Sequence, residues 1–399
     1  SKYFWSISTI KAFLCVFAYA VMIAIVNAGD YPRETVLAVY VMGLAVLVES
    51  FAELLRSVIR AFEEMEYVAY SKVVQGAVTV AVGLVALYYR LGLVWFSSAY
   101  FFGNLASLAY TSVIGFARFV EFRYDFDYEL LKKAVKMALP LIFSGILGVT
   151  YYKVDILMLS YLKGDAAVGV YNAAFQIIGA LLFVPTILST VLLPVMSRFY
   201  ETSRESLNKT FELGMRYLLI LSLPMFLGLA LLADRISLLV YGAEFAESAG
   251  PLAILSLSGL FLFMNYLLYN AINAINRQNV LPYIITVGLV VNIVLNAAFI
   301  PSYNFNGAAV ATTISNGLVC AMYVAYLRRS KVPIGLRRTV KMLIPLLVMV
   351  AVVYAVKDIH VILTIACAAA AYFTAIIAVK TFTDEDRRLA KEILNVDFF

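Results

Sequence analysis

What this sequence has little of narrows its chemistry. Its 399 residues include one histidine, His360, and three cysteines, Cys15, Cys320 and Cys367. The cysteines lie far apart inside apolar runs, without the spacing of a metal site or a disulfide framework, and read as small packing residues. One histidine by itself supplies neither a metal cluster nor a nucleophile–base pair. Charged residues are only 14% of the chain, against about 25% in a typical soluble domain. No Gly-x-x-x-x-Gly-Lys pattern occurs, so nothing points to ATP hydrolysis. The longest polar connection, Ala117–Ala138, is too short for the carboxylate-bearing loop domain of a membrane glycosyltransferase or polymerase. These absences argue against an enzyme, a cofactor and a bound metal.

What is present is apolar length. Hydrophobic residues make up 63% of the chain, and the mean hydropathy is +0.90. They fall in runs of about 20 residues, enough to cross ~30 Å of hydrocarbon. The expected fold is all-α, a polytopic transmembrane helical bundle of about twelve spans: Thr9–Asn27, Thr35–Ser57, Tyr67–Tyr89, Val94–Phe116, Leu139–Leu162, Val168–Val191, Leu213–Leu232, Leu252–Ile272, Leu281–Ile300, Gly307–Leu327, Met342–Val356 and Val361–Val379. Threading them alternately leaves Arg33, Arg90, Lys163, Arg235 and Lys357 outside. About 25 of the 31 Lys and Arg residues then lie on or near the inner side. This bias predicts cytoplasmic N- and C-termini in a cell membrane, and it accounts for the net charge of +6 without any nucleic-acid partner. The first run, Ile10–Val26, is too long and unpunctuated for a cleaved signal. Two inner stretches look amphipathic and suited to headgroups: Tyr128–Leu139, and a tail with Leu389, Ile393 and Leu394 on one face behind a Thr383/Asp386 capping box.

The chain also repeats itself. Leu54–Tyr110 can be laid over Leu267–Tyr323 at an offset near 213, with Arg60-Ala-Phe matching Asn273-Ala-Ile and Asn104 within one position of Asn316. Both copies run in the same direction, so the lobes are expected to be parallel repeats. The expected organisation is an N-terminal lobe of four helices at 1–127 and a lobe of six helices at 128–332, preceded by the amphipathic helix. Two extra transmembrane helices and the amphipathic tail occupy 333–399. In this register the first lobe lacks an N-terminal helix pair, which predicts either two helices before Ser1 or a natural short form.

Four stretches carry a family resemblance. They are Val154-Asp-Ile-Leu-Met-Leu-Ser-Tyr-Leu-Lys-Gly164 with Val168-Gly-Val-Tyr-Asn-Ala-Ala174, Leu193-Pro-Val-Met-Ser197, Leu239-Val-Tyr-Gly-Ala-Glu-Phe-Ala246 and Arg60-Ala-Phe-Glu-Glu-Met-Glu-Tyr67. In this order they resemble the polysaccharide exporters and O-antigen flippases of the multidrug/oligosaccharidyl-lipid/polysaccharide superfamily. The resemblance implies six-helix lobes around a central cavity and transport by alternating access. It also implies a polyprenyl- or dolichyl-linked oligosaccharide as cargo, moving through membrane lipid. The rival within the superfamily is a cation-coupled multidrug exporter, and a membrane-embedded enzyme of polysaccharide assembly is the rival from another class.

Ionisable residues deep in a span cost at least about 2.5–3.5 kcal/mol on insertion scales unless they meet a partner or a wet cavity. Lys153 and Asp155 are two positions apart, about 200° around the helix, so they do not face each other. Lys153 is a candidate cation for the diphosphate or an acidic sugar. Asp155 is a candidate for orienting cargo or binding a coupling H+ or Na+. Glu49, Glu53, Arg56 and Arg60 fall on one continuous face. Arg56 and Arg60 suit a lipid diphosphate, Glu49 and Glu53 a coupling ion. A salt-bridged stripe between helices is the alternative for that face. Asn172 with Gln176, and Asn270 with Asn273, are candidate sugar contacts. Asn292 and Asn296 form a further pair, and all of these carboxamides serve equally as interhelical glue. Tyr151, Tyr152 and Tyr171 would stack on sugar or form an interfacial belt. Pro185, Pro194 and Pro224 are candidate hinges.

Overall fold

The computed structural model describes residues 2–29, 31–119, 127–330, 332 and 341–379. Among them every regular element is helical: α1 Lys2–Ala28, α2 Arg33–Ala61, α3 Met65–Tyr88, α4 Leu93–Arg118, α5 Tyr128–Lys163, α6 Asp165–Leu181, α7 Phe183–Thr202, α8 Arg204–Leu231, α9 Ala233–Tyr241, α10 Ala249–Ala274, α11 Leu281–Arg329, α12 Leu343–Ala355 and α13 Val361–Ala378. Short 3₁₀ turns precede α10 and α11. The chain divides into two compact units, Ser1–Leu141 and Ile142–Phe399.

In the first unit α4 packs along both α2 and α3, and α1 leans on α2. Small residues make this close approach feasible, as they do between membrane helices generally. Ala38, Ala45 and Ala52 of α2 are buried with Ala99, Gly103 and Ser107 of α4. A Cβ at Gly103 would stand 2.9 Å from the Gln75 carbonyl oxygen of α3. In the second unit α10 is central, touching α6, α7, α8, α9 and α11. Phe226 and Phe263 meet edge to face at 4.9 Å between centroids, beside Gly259. The α12–α13 hairpin lies on α8, where Tyr372 Oη donates to the Ile220 carbonyl oxygen at 2.9 Å.

The repeat recurs in backbone detail. α2 and α10 end in the same left-handed turn, at Glu63 (φ 63°) and Asn276 (φ 56°). Glu63 N–H donates to Arg60 O and Glu64 N–H to Ile59 O. The matching bonds are Asn276 N–H to Asn273 O and Arg277 N–H to Ile272 O. Each turn satisfies carbonyls that a helix C-terminus otherwise leaves orphaned.

Several expected boundaries shift. Eight helical segments among the described residues are long and apolar enough to cross a membrane, so the count of twelve is not reached by that measure. The segment 165–202 is broken at Leu182, dividing the expected span Val168–Val191 between α6 and α7. α11 holds two expected spans in 49 residues and breaks at Asn304 (φ 53°, ψ −136°). Its Asn292 Nδ2 donates to Ser315 Oγ at 3.1 Å, although the 23 intervening steps would span ~35 Å of straight helix. The chain therefore folds back at that break. α4 carries one charged residue, Arg118, yet falls outside the eight because it buries Ser97, Asn104, Ser107 and Thr111. The expected surface helix Tyr128–Leu139 is instead continuous with the following span as α5. The amphipathic tail at 383–394 lies outside the described residues.

Candidate functional site

Among the described residues each unit holds a carboxylate-centred cluster of buried polar groups, and the two differ in kind. In the first, the α2 face that places Glu49, Glu53, Arg56 and Arg60 together turns toward α3 and α4. Arg56 is fully buried. Its Nη2 donates to Glu49 Oε1 at 2.5 Å, its Nε to Glu53 Oε2 at 2.8 Å and its Nη1 to Ser107 Oγ of α4 at 2.8 Å. Arg60 Nη2 reaches Glu53 Oε1 at 2.6 Å with its side chain 38% exposed. Lys72 of α3, 51% exposed, donates to Glu49 Oε1 at 2.8 Å. Gln75 links the cluster to α4, donating to Glu49 Oε2 at 3.3 Å and to Asn104 Oδ1 at 2.6 Å. Asn104 in turn donates to the Ala45 carbonyl oxygen at 2.8 Å. Two carboxylates thus stand among three cations, the buried one enclosed and the other two at the edge. Buried guanidinium and carboxylate groups persist only when their lone pairs and protons are matched in this way.

Among the described residues, no basic side chain bonds the carboxylate of the second cluster. Asp155 of α5 is buried. Its Oδ2 accepts from Thr312 Oγ1 at 2.6 Å and from Tyr171 Oη at 3.0 Å, and its Oδ1 from Asn296 Nδ2 at 2.7 Å. Asn296 also donates to Asn292 Oδ1 at 2.9 Å, and Asn292 leads on to Ser315. α5, α6 and both halves of α11 therefore converge on one carboxylate held by neutral donors. An acid met by two hydroxyls and one amide N–H can take a proton among neutral partners, and its own oxygens are hard ligands that suit a hard cation better than a soft metal. Among the described residues no group of three or more His, Cys, Asp or Glu side chains is arranged for a metal.

The expected site residues divide accordingly. Arg56, Arg60, Glu49 and Glu53 come together in one ion-pair cluster. Asp155 joins Asn292, Asn296 and Tyr171. Lys153 is exposed on another face of α5 and takes no part in the Asp155 cluster. Asn172 is half-buried and Gln176 exposed on α6. Asn270 donates back to the Tyr266 carbonyl oxygen of its own helix at 2.9 Å, and Asn273 serves the turn after α10; neither reaches Asp155. Tyr151 donates to Asn316 Oδ1 at 2.8 Å, and Tyr152, exposed, packs edge to face against it. Sequence reasoning missed Lys72, Gln75, Thr312 and Ser315. The polar residues Thr312, Thr313, Ser315 and Asn316 in an otherwise apolar run were the available signal for the last two.

Comparisons with known proteins agree with this architecture. A family model described as "Polysaccharide biosynthesis protein" matches residues 1–200, and the MatE model matches residues 140–298. The chain is 21% identical over 291 residues to a probable low-salt glycan biosynthesis flippase of Haloferax volcanii, covering 73% of this chain and 61% of that protein. It thus spans about three fifths of that relative's length. It is 26% identical over 299 residues to the capsular polysaccharide biosynthesis protein CapF of Staphylococcus aureus, covering 69% of this chain and 74% of that protein. Among solved structures, the lipid II flippase MurJ in an inward closed conformation aligns with a TM-score of 0.75 at 16% identity, covering 95% of this chain and 84% of that one. An inward-facing multidrug resistance MATE family transporter aligns at 0.69 with 15% identity, covering 81% and 79%. The fold is that of the MurJ and MATE transporters, and the protein is a multi-pass helical membrane protein.

Proposed function

From the premise that the chain belongs to the polysaccharide biosynthesis protein family, we propose that it is a flippase or exporter of lipid-linked oligosaccharide, working by alternating access. Family and fold point to transport rather than to an enzyme. The observation that carries the reading is the first unit's cluster. There Arg60 and Lys72 stand exposed at the edge of a locked Arg56–Glu49–Glu53 core. Each of the three Arg56 nitrogens already donates a bond, and together they hold the two glutamates in place. Arg60 and Lys72 keep free N–H groups, and cations at such an edge are the groups that grip phosphate oxygens. In this reading they receive the diphosphate of a polyprenyl or dolichyl carrier. The sugar crosses through the polar interior while the tail stays in lipid. The termini lie on the cytoplasmic side, and Asp155 carries the coupling H+ or Na+.

A second reading, cation-coupled multidrug export, is favoured by one specific observation. The MatE match covers Asp155, Tyr171, Asn292 and Asn296, and a buried acid is what drug–cation exchange requires. Translocation in proteoliposomes separates the two, using a fluorescent polyprenyl-diphosphate sugar and a cationic dye side by side. Movement of the lipid-linked sugar but not the dye, weakened in an Arg60→Gln/Lys72→Gln protein, supports the flippase. Dye efflux with the sugar immobile rejects it in favour of the exporter.

A further inference from the structure

We propose that a tyrosine-lined cavity in the second unit is a subsite for one neutral sugar ring, built at the positions where the first unit's repeat carries its charges. The proposal rests on the flippase reading and names the part of the cargo that this unit holds.

The cavity measures 280 Å³ and lies among α5, α10 and α11. Tyr151, Tyr152, Tyr266, Tyr269 and Tyr323 line it, together with Asn265. Its volume is near the lower end of small-molecule sites, about 300–1,000 Å³, which suits a single ring better than a chain of them. Among the described residues no acid or base lines it, the nearby Asp155 belonging to a smaller neighbouring pocket, and this lining suits an uncharged group. Tyrosine faces offer apolar surface for the C–H face of a pyranose, and their hydroxyls and the carboxamides offer partners for its rim. One lining residue carries an unmatched acceptor. Asn265 is buried, its Nδ2 donates to the Asn316 carbonyl oxygen at 3.2 Å, and its Oδ1 has no hydrogen-bond partner among the described residues. A buried acceptor left unmatched costs about 1–3 kcal/mol, and a turn of the Asn265 amide that brought Oδ1 to a ligand hydroxyl would remove that cost.

The repeat register explains why the cavity has this character. Asn104 and Asn316 are equivalent: the first donates to Ala45 O, the second to Ser258 Oγ, and Ala45 and Ser258 are themselves one repeat apart. With that anchor, Glu49 corresponds to Leu262, Glu53 to Tyr266, Arg56 to Tyr269 and Lys72 to Ile285. Every charged member of that set is replaced by a tyrosine or an aliphatic residue that lines the cavity. Gln75, which donates to Asn104 Oδ1, corresponds to Gly288. A Cβ at Gly288 would lie 3.2 Å from the Tyr151 ring, and Tyr151 Oη makes the equivalent bond to Asn316 Oδ1. The polar anchor is kept and its charged surroundings have become aromatic, which divides the labour: ions at the first copy, a sugar face at the second.

Saturation-transfer NMR on the full chain in nanodiscs tests this, with lipid-free N-acetylglucosamine, galactose and mannose as probes. At least one should receive saturation on its ring C–H protons. Tyr266→Ala/Tyr269→Ala should lower that transfer about fivefold or more, while Tyr266→Phe/Tyr269→Phe keeps it. The Phe pair controls for folding. No transfer to any of the three sugars, or transfer undiminished in the Ala pair, overturns the proposal. So does displacement of the sugar by tetraphenylphosphonium, which would make the cavity an aromatic cage for cations. Because no lipid-linked substrate is used, a failure here is distinct from immobility of the polyprenyl-diphosphate sugar in proteoliposomes, which would sink the flippase reading instead.

Discussion

At equivalent places in the repeat, the first unit encloses Arg56 between two glutamates, and the second opens a cavity between Tyr266 and Tyr269. Both units keep the left-handed turn after the long helix and the asparagine that ties the helix after next back to it. The difference teaches that the shared hydrogen bonds hold the helices in register, leaving the side chains around them free to diverge. An ion-pair core demands that each member stay, since an unpaired buried charge is costly. A neutral aromatic wall tolerates change one residue at a time.

The sharpest way to break the comparison is Arg56→Met, which strands Glu49 and Glu53 beside each other. It should destabilise the first unit by about 3–5 kcal/mol, the usual cost of removing one partner of a buried pair. Thiol labelling during a thermal ramp, in a Cys367→Ser background, reports each unit separately. Half-buried Cys15 in the first should become reactive well before buried Cys320 in the second. Simultaneous exposure of both would mean that Arg56 carries no such weight.

Next in size is Asp155→Asn. It leaves neutral donors facing a part-donor group, a loss of about 1–3 kcal/mol, now read as earlier labelling of Cys320 than of Cys15. In proteoliposomes the same protein should lose its dependence on an imposed H+ or Na+ gradient. Retention of that dependence would remove Asp155 from coupling.

A symmetric pair sharpens the comparison from the other side. Asn104→Leu and Asn316→Leu each remove one accepted bond, from Gln75 or Tyr151, and one donated bond, to Ala45 O or Ser258 Oγ, so their costs should agree within about 1 kcal/mol. A large inequality would show that the anchors are not equivalent. The smallest effect on stability belongs to Arg60→Gln/Lys72→Gln. These exposed pairs contribute at most about 1 kcal/mol each. Translocation of the lipid-linked sugar should nevertheless slow about tenfold, in line with losing charge-assisted bonds worth ~1.5–3 kcal/mol to the diphosphate.

Much of the fold was legible because its signals are local. Apolar length gave α1, α2, α3, α8, α10 and α13, and the i, i+4, i+7 spacing put Glu49, Glu53 and Arg56 on one face. The repeat offset anticipated the matching turns at Glu63 and Asn276. Breaks inside apolar runs were harder to read. The break at Asn304 falls between the expected spans Leu281–Ile300 and Gly307–Leu327, but the break at Leu182, three residues before Pro185, divides a single expected span, and α4 loses apolar character because the residues it buries are polar. At the candidate sites, the sequence singled out Asp155 and the α2 charges and allowed for pairing along the α2 face, but it did not supply the partners of Asp155 on other helices. Lys153 lies beside Asp155 in sequence yet points elsewhere, while Thr312 is 157 positions away and bonds to it.

The sequence by itself determined the solvent, the helical class, the repeat and the identity of the buried charges, because each follows from composition and from periodicity within a few turns. Only the tertiary structure decided which cation is enclosed and which is exposed. It alone brought three helices together at Asp155, and it alone turned five tyrosines from three helices into one cavity. Those outcomes depend on which helix faces meet, and contacts so far apart in sequence leave no local pattern to read.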